Sequence, residues 1–290
     1  MNAANTTPVW LITGCSSGLG RALAERVLAQ GHRLIATARH PETLAELVAA
    51  DPDRCRAIAL DVADAPQVAP VITRAAEAFG RLDVVVNNAG YGLVGAVEEY
   101  DDEQIARNFE TNFFGALRVI RAALPIMRAQ RRGHFVNLSA AAVIANYPGF
   151  SIYGATKWAL EGVSESLAAE VRPLGLKVTI VQPGPFRTDF ISRSLEHATG
   201  RIPDYDQSSG KFQRFLATMS GRQPGDPIKA ADAIIAAVAS ENPPLRLVLG
   251  QYAIDKARRK LGSAARELDA TSAAGLGTDF TTAGGTEAAR

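Results

Sequence analysis

The stretch VWLITGCSSGLG, residues 9–20, runs from a β-branched apolar segment into a glycine-rich turn and then into a helical pattern that starts at Leu19. Gly14, Gly18 and Gly20 permit a tight turn, close approach of the backbone to a pyrophosphate and close helix–strand packing. The start of the following helix aims unpaired N–H groups at the same place. The spacing departs from the common dinucleotide fingerprint between the first two glycines, and a turn that merely needs glycines would explain the triplet taken alone. What surrounds it decides the matter. RLIATAR, CRAIALDV, LDVVVNNAG, HFVNLSA, KVTIVQPG and LRLVLG follow as short strand-like runs. Helical patterns fall between them, after Pro41, over 66–79, near 102–130 and from Tyr153 to about Val171. Seven strands with interposed helices predict a doubly wound Rossmann-type α/β fold, its parallel sheet covered on both faces, because each parallel crossover must travel back over the sheet.

The chain has 290 residues, 47% of them hydrophobic, enough for one sizeable core. A single domain over 1–262 is expected. It includes a polar insert over about 185–226, which breaks the strand–helix rhythm where such folds put ligand-covering loops. Residues 263–290, rich in Ala, Gly and Thr, read as a disordered tail. Lys plus Arg is 31 against 30 for Asp plus Glu, so no net field draws nucleic acid or an anionic membrane. The opening MNAANTTPVW has no secretory pattern, and no apolar run approaches the roughly 18 residues of a membrane helix. A cytoplasmic protein is expected. Cys15 and Cys55 lack metal-like spacing and read as free thiols, and no metal site is expected.

An acidic residue at the end of the second strand would accept hydrogen bonds from both ribose hydroxyls and repel a 2′-phosphate. Here Ala38 stands at that position and Arg39 follows, able to fork around a phosphate, which favours NADP(H) over NAD(H). Asp61 and Val62 close the third strand, suited to an adenine edge. NNAG (87–90) closes the fourth, adding Asn88, Ala89 and Gly90 to the phosphate-loop residues Gly14, Ser16, Ser17, Gly18, Leu19 and Gly20.

From about Pro8 to Pro183 and beyond, TGCSSGLG, NNAG, ETNFFGAL, NLSA, YGATK and QPG occur in the order and approximate spacing of the short-chain dehydrogenase/reductase family, which the chain strongly resembles. TGCSSGLG, ATAR and QPGPFRTDF are most similar to the branch related to 17β-hydroxysteroid dehydrogenases. The chemistry fits. Tyr153 and Lys157, at i and i+4, share a helix face. A lysine cation near the phenol, joined by a positive nicotinamide, would favour phenolate and bring Tyr153 down from about 10. Lys157 would also bond the nicotinamide ribose, as the resemblance implies. Ser139 would hydrogen-bond the substrate carbonyl. The resemblance further implies that Asn112 holds a water relaying protons to Lys157, that Pro183 and Gly184 turn the chain under the nicotinamide, that Phe186 lines its face and that Thr188 bonds its carboxamide. Arg187 and Asp189 read as an ion pair or solvated loop charges. Each of the four catalytic candidates has an ordinary structural explanation when taken singly, and their joint order carries the assignment.

The expected partner is a small-molecule carbonyl or alcohol. Leu93, Val94, Val143, Ile144, Tyr147, Phe150, Phe190 and Leu195 could form an apolar wall for it, or could be lid core. The resemblance implies a homodimer or homotetramer built on the helices at 102–130 and 153–171. A non-catalytic NADP(H)-sensing protein is the competing reading; its usual signature, loss of the Tyr or the Lys, is absent here.

Overall fold

The computed structural model describes residues 7–280. Its elements, in chain order, are β1 Val9–Ile12, α1 Gly18–Ala29, β2 Arg33–Ala38, α2 Ala45–Ala50, β3 Cys55–Ala59, α3 Ala65–Phe79, β4 Val84–Asn87 and β5 Gly92–Val94. Then come α4 Asp102–Phe109, α5 Ala116–Gln130, β6 Gly133–Leu138, α6 Ala141–Ile144, α7 Ser151–Val171 and β7 Leu176–Pro183. The chain continues with α8 Phe190–Arg193, β8 Leu195–His197, α9 Ser209–Met219, α10 Pro227–Ala239, β9 Arg246–Leu249 and α11 Gln251–Leu276.

Seven strands form one parallel sheet in the order β3-β2-β1-β4-β6-β7-β9, as the alternation predicts. The order reverses direction between β1 and β4, and the crevice above that reversal is where such sheets bind ligands. Alternating residues of each strand divide two hydrophobic layers. Trp10, Ile12, Leu34, Val84, Val86 and Val136 pack with α1 and α10, while Val9, Leu11, Ile35, Val85 and Phe135 pack with α3, α5 and α7. Burial on both faces explains why these strands are apolar throughout. Helix starts follow local chemistry as well. The Asp101 side chain accepts from Gln104 N at 2.6 Å, and Asp226 accepts from Ile228 N at 2.9 Å with Pro227 at the first helical position.

Three features depart from expectation. The long helix over 102–130 is interrupted by a π turn at Glu110–Gly115, which holds Asn112. The insert is ordered: β8 pairs with β5 in a separate two-stranded sheet, and α9 follows. The unstructured tail expected from residue 263 is helical through Leu276, with every residue from 264 to 280 exposed; residues 281–290 lie outside the described residues. Ala-rich composition carries helix propensity without an apolar period, so the periodicity criterion misses it.

Candidate active site

A cavity of about 1030 Å³ opens at the C-terminal ends of the central strands. One half is made by the glycine loop and the strand ends. Gly14 has φ +72°, open to glycine at little cost, and a Cβ there would come within 3.0 Å of Ala89 Cα. A Cβ on Gly20 would collide with the Gly14 carbonyl and the Asn88 amide. The Ser17 side chain makes no cap, so no side chain competes for the N–H groups of the first turn of α1. The two glycines are thus required by the loop's own packing, and the uncapped first turn of α1 that this packing brings to the cavity fits a dinucleotide phosphate.

Asn88 itself serves the loop. Its Nδ2 donates to the carbonyls of Thr13 at 2.8 Å and Gly14 at 3.0 Å, and Thr13 Oγ1 accepts from the N–H groups of Asn88 and Ala89, each at 3.0 Å. The side chain thus braces the loop rather than presenting its amide to a ligand. Ser16, Ser17, Gly18, Leu19, Arg39, Asp61, Val62, Ala89 and Gly90 also border the cavity. Asp61 Oδ1 accepts from Ala63 N at 3.0 Å, which closes its own turn. Arg39 is exposed and makes no ion pair among the described residues. Pro183, Gly184, Phe186 and Thr188 complete the rim, with Gly184 N bonded to Leu249 O at 2.9 Å.

Tyr153 and Lys157 lie one turn apart on α7, and both are buried. Lys157 Nζ donates to Leu138 O at 2.8 Å. The Tyr153 ring sits among Phe150 (5.2 Å between centroids) and Phe190 (6.0 Å). Burial pushes the Tyr153 phenol above its usual range and lowers Lys157 to about 8. The expected lowering of Tyr153 by Lys157 therefore does not operate in the chain by itself, because desolvation disfavours the charged form of both groups.

Two members of the expected tetrad are arranged differently from the sequence reading. Ser139 Oγ donates to Glu161 Oε1 at 2.5 Å, and the Glu161 carboxylate also accepts from Gln182 Nε2 at 2.8 and 3.0 Å and from Arg246 Nε at 3.4 Å. A hydroxyl has one proton to give, so in this arrangement Ser139 cannot donate to a carbonyl oxygen. Ala140, next in the chain, belongs to the same buried apolar cluster as Tyr153. Both Ser139 and Ala140 border the cavity, but the Ser139 hydroxyl is spent on Glu161. Asn112 Oδ1 accepts from Tyr91 N at 2.9 Å, while its Nδ2 donates to Tyr91 O at 2.9 Å and Thr156 Oγ1 at 3.2 Å. Its side chain is committed to holding the segment after β4, so the expected proton relay does not rest on that side chain.

The other half of the cavity is apolar. Tyr147, Phe150, Phe190 and Leu195 line it as expected, whereas Leu93, Val94 and Val143 are buried packing residues away from its lining, and Ile144 is also off it. Sequence reasoning missed Phe212, Phe215, Leu216 and Met219 of α9 and Tyr252 of α11. The α9 set recurs at i, i+3, i+4 and i+7, a helical stripe inside a segment read as a polar loop. It also missed Gln223, a buried residue on the lining whose two amide atoms have no hydrogen-bond partner. Asp189 pairs with Arg193 at 3.6 Å, while Arg187 bonds the Gln223 carbonyl at 3.2 Å, so these two loop charges are not each other's partners.

Residues 8–198 match the family model described as short chain dehydrogenase. Oxidoreductase BOA17 of Botryotinia fuckeliana is 40% identical over 266 residues, which cover 91% of this chain and 95% of that protein. The crystal structure of a short-chain dehydrogenase from Streptomyces avermitilis superposes with a TM-score of 0.90 at 44% identity, covering 96% of this chain and 100% of that one. A family member from Burkholderia phymatum in complex with NAD gives 0.76 at 26% identity, covering 87% and 92%. ElxO with NADP bound gives 0.70 at 25%, covering 84% and 97%. The chain belongs to the short-chain dehydrogenase/reductase family. It is thus an oxidoreductase, and the two last-named neighbours are bound to NAD and to NADP. Among the described residues no helix is long and apolar enough to cross a membrane, and no group of potential ligands could hold a metal ion.

Proposed function

We propose that the chain is an NADP(H)-dependent reductase or dehydrogenase that interconverts a ketone and a secondary alcohol on a hydrophobic small molecule. The observation that carries this reading is the position of Tyr153. It is a buried phenol at the seam of the cavity, with the glycine cradle on one side and the aromatic wall on the other. The nicotinamide, when bound, supplies or accepts the hydride. Tyr153, kept protonated by burial, gives its proton to the substrate oxygen as charge develops there. Lys157 stands ready to bond the cofactor ribose, and its cation steadies the phenolate left behind. Phe186 and Thr188 would hold the nicotinamide ring, and Gln223 offers a buried amide to whatever ligand lies along the rim. Ser139 is given no donor role, because its proton goes to Glu161.

The preference for NADP(H) rests on Arg39 and the missing carboxylate at Ala38. NADPH and NADH are titrated into the protein and into Arg39→Asp. The wild type should favour NADPH by about tenfold or more, the value of a charge-assisted contact, and the variant should lose that preference. Equal wild-type affinities would overturn the choice. A carbonyl and alcohol panel followed at the nicotinamide absorbance, in both directions, then tests the reaction.

Pairing of subunits through the π turn and α7 is supported by two exposed aromatics on those surfaces, Phe114 and Trp158. A monomer mass by light scattering at micromolar concentration would count against it.

A further inference from the structure

Beside the apolar half of the cavity is a second, smaller recess of about 380 Å³. It is lined by Ala145, Asn146, Tyr147, Tyr252, Lys256, Arg259 and Lys260. The two recesses share Tyr147 and Tyr252, whose hydroxyls are joined at 2.7 Å. The lining contains three cations and no carboxylate. Lys256, Arg259 and Lys260 fall at i, i+3 and i+4 on α11, so they crowd one face. None of the three forms an ion pair or a hydrogen bond with any described residue. Lys256 is 7% exposed, and its Nζ lies 3.0 Å from the centroid of the Tyr147 ring, a contact that leaves ammonium N–H groups unspent. Burial first, and then the charge of Arg259, lower its pKa to about 7. A buried ammonium with no counter-ion, beside two exposed cations of the same helix face, is costly to hold, and a bound anion would relieve that cost.

The stacking of Tyr147 on Phe212, with centroids 4.9 Å apart and planes within 9°, makes the ring a partition. Apolar aromatic surface lies against it from α9, and a cation lies against it from α11. From Tyr153 the steps are short: 5.2 Å to Phe150, 6.2 Å on to Tyr147, and 3.0 Å from that ring to Lys256 Nζ.

We propose that this recess is an anion subsite and that the ligand of the cavity is an apolar carbonyl or hydroxyl compound carrying a carboxylate at the end remote from the reacting carbon. The carboxylate takes the N–H groups of Lys256 and Arg259, the apolar body crosses the rim that Tyr147 and Tyr252 share between the two recesses, past the ring edges rather than their covered faces, and the carbonyl reaches Tyr153. The inference rests on the oxidoreductase reading for its second half only, since anion capture needs no turnover.

The test uses the full chain, with octanoate, octanol and inorganic phosphate as probes, and reads binding from tyrosine and tryptophan fluorescence. Lys256→Met keeps the buried stem and removes the charge. Arg259→Gln alters an exposed residue and guards against a folding defect in the first variant. Octanoate should bind about tenfold more weakly to Lys256→Met, and several-fold more weakly to Arg259→Gln, than to the wild type, while octanol binds all three alike. Octanoate should also compete with any ketone the panel finds active. Absent octanoate binding, equal affinities in the three proteins, or octanol losses as large as those of octanoate would overturn the subsite. Phosphate bound as tightly as octanoate, or octanoate that fails to compete with an active ketone, would overturn the link to the apolar cavity. If no carbonyl turns over but the octanoate difference holds, the oxidoreductase reading fails and the subsite stands.

Discussion

The two halves of the cavity are built by different means. The half beside the glycine loop is backbone: glycine positions, strand ends and the first turn of a helix, braced by Thr13 and Asn88 through bonds of 2.8 to 3.0 Å. The apolar half is side chain, with rings from the α6–α7 segment, α7, α8 and α9 meeting at centroid distances of 4.9 to 6.2 Å. Backbone geometry tolerates few residue types, whereas packed rings can be exchanged for others of similar volume. One half can therefore stay fixed while the other is remade for a new ligand.

The largest expected effect sits at the seam. Tyr153→Phe should cut turnover by about 10²- to 10⁴-fold while leaving NADPH affinity intact, as stopped-assay rates and a fluorescence titration would record. A variant that kept full turnover would break the division, since the chemistry would then belong to neither half. Phe212→Ala tests the side-chain half by itself. KM for bulky apolar ketones should rise about tenfold with kcat and cofactor affinity unchanged, in line with the lost apolar burial. Coupled loss of cofactor affinity would show that the halves are not separable.

Ser139→Ala sharpens the comparison from behind. It removes the proton donor to a buried carboxylate that keeps Gln182 and Arg246, so thermal stability should drop by about 1–3 kcal/mol while turnover falls less than about tenfold. A loss matching that of Tyr153→Phe would restore the serine to the proton donors. The smallest effect at neutral pH lies at the far end of β6. Burial holds His134 at about 4, below its usual value, so the unfolded chain binds more protons between that pH and about 6.5. Stability should accordingly fall as pH drops through that window, by up to about 1.4 kcal/mol per pH unit, and His134→Gln should flatten the slope in acid melting curves. Neither half of the cavity should register the change at pH 7.

What was legible in the sequence follows the same division. Parallel strands buried on both faces announce themselves as apolar runs, and the glycine loop does so because few residues fit its turns, so the sheet and the place of that loop at the cavity could be read directly. The direction of a side chain at a strand end could not. Ser139 and Ala140 are adjacent in sequence, and only the fold shows that the serine bonds Glu161 while the alanine joins the apolar cluster of Tyr153. The partner of Ser139 is 22 residues away in the chain, on a helix where a lone Glu reads as a surface charge. The α9 stripe was present as a period, masked by the polar residues around it. The π turn left no signal, because one extra residue within a helix preserves composition and shifts only the phase.

Down one face of α7, Tyr153, Lys157, Glu161 and Glu165 recur every four residues. The last two both reach Arg246 on β9, the strand that ends the sheet. Edge strands are where other chains dock. A neighbour seated along β9 and competing for Arg246 would draw on the carboxylate that fixes Ser139, so the rim of the sheet is joined to the cavity wall by a line of hydrogen bonds.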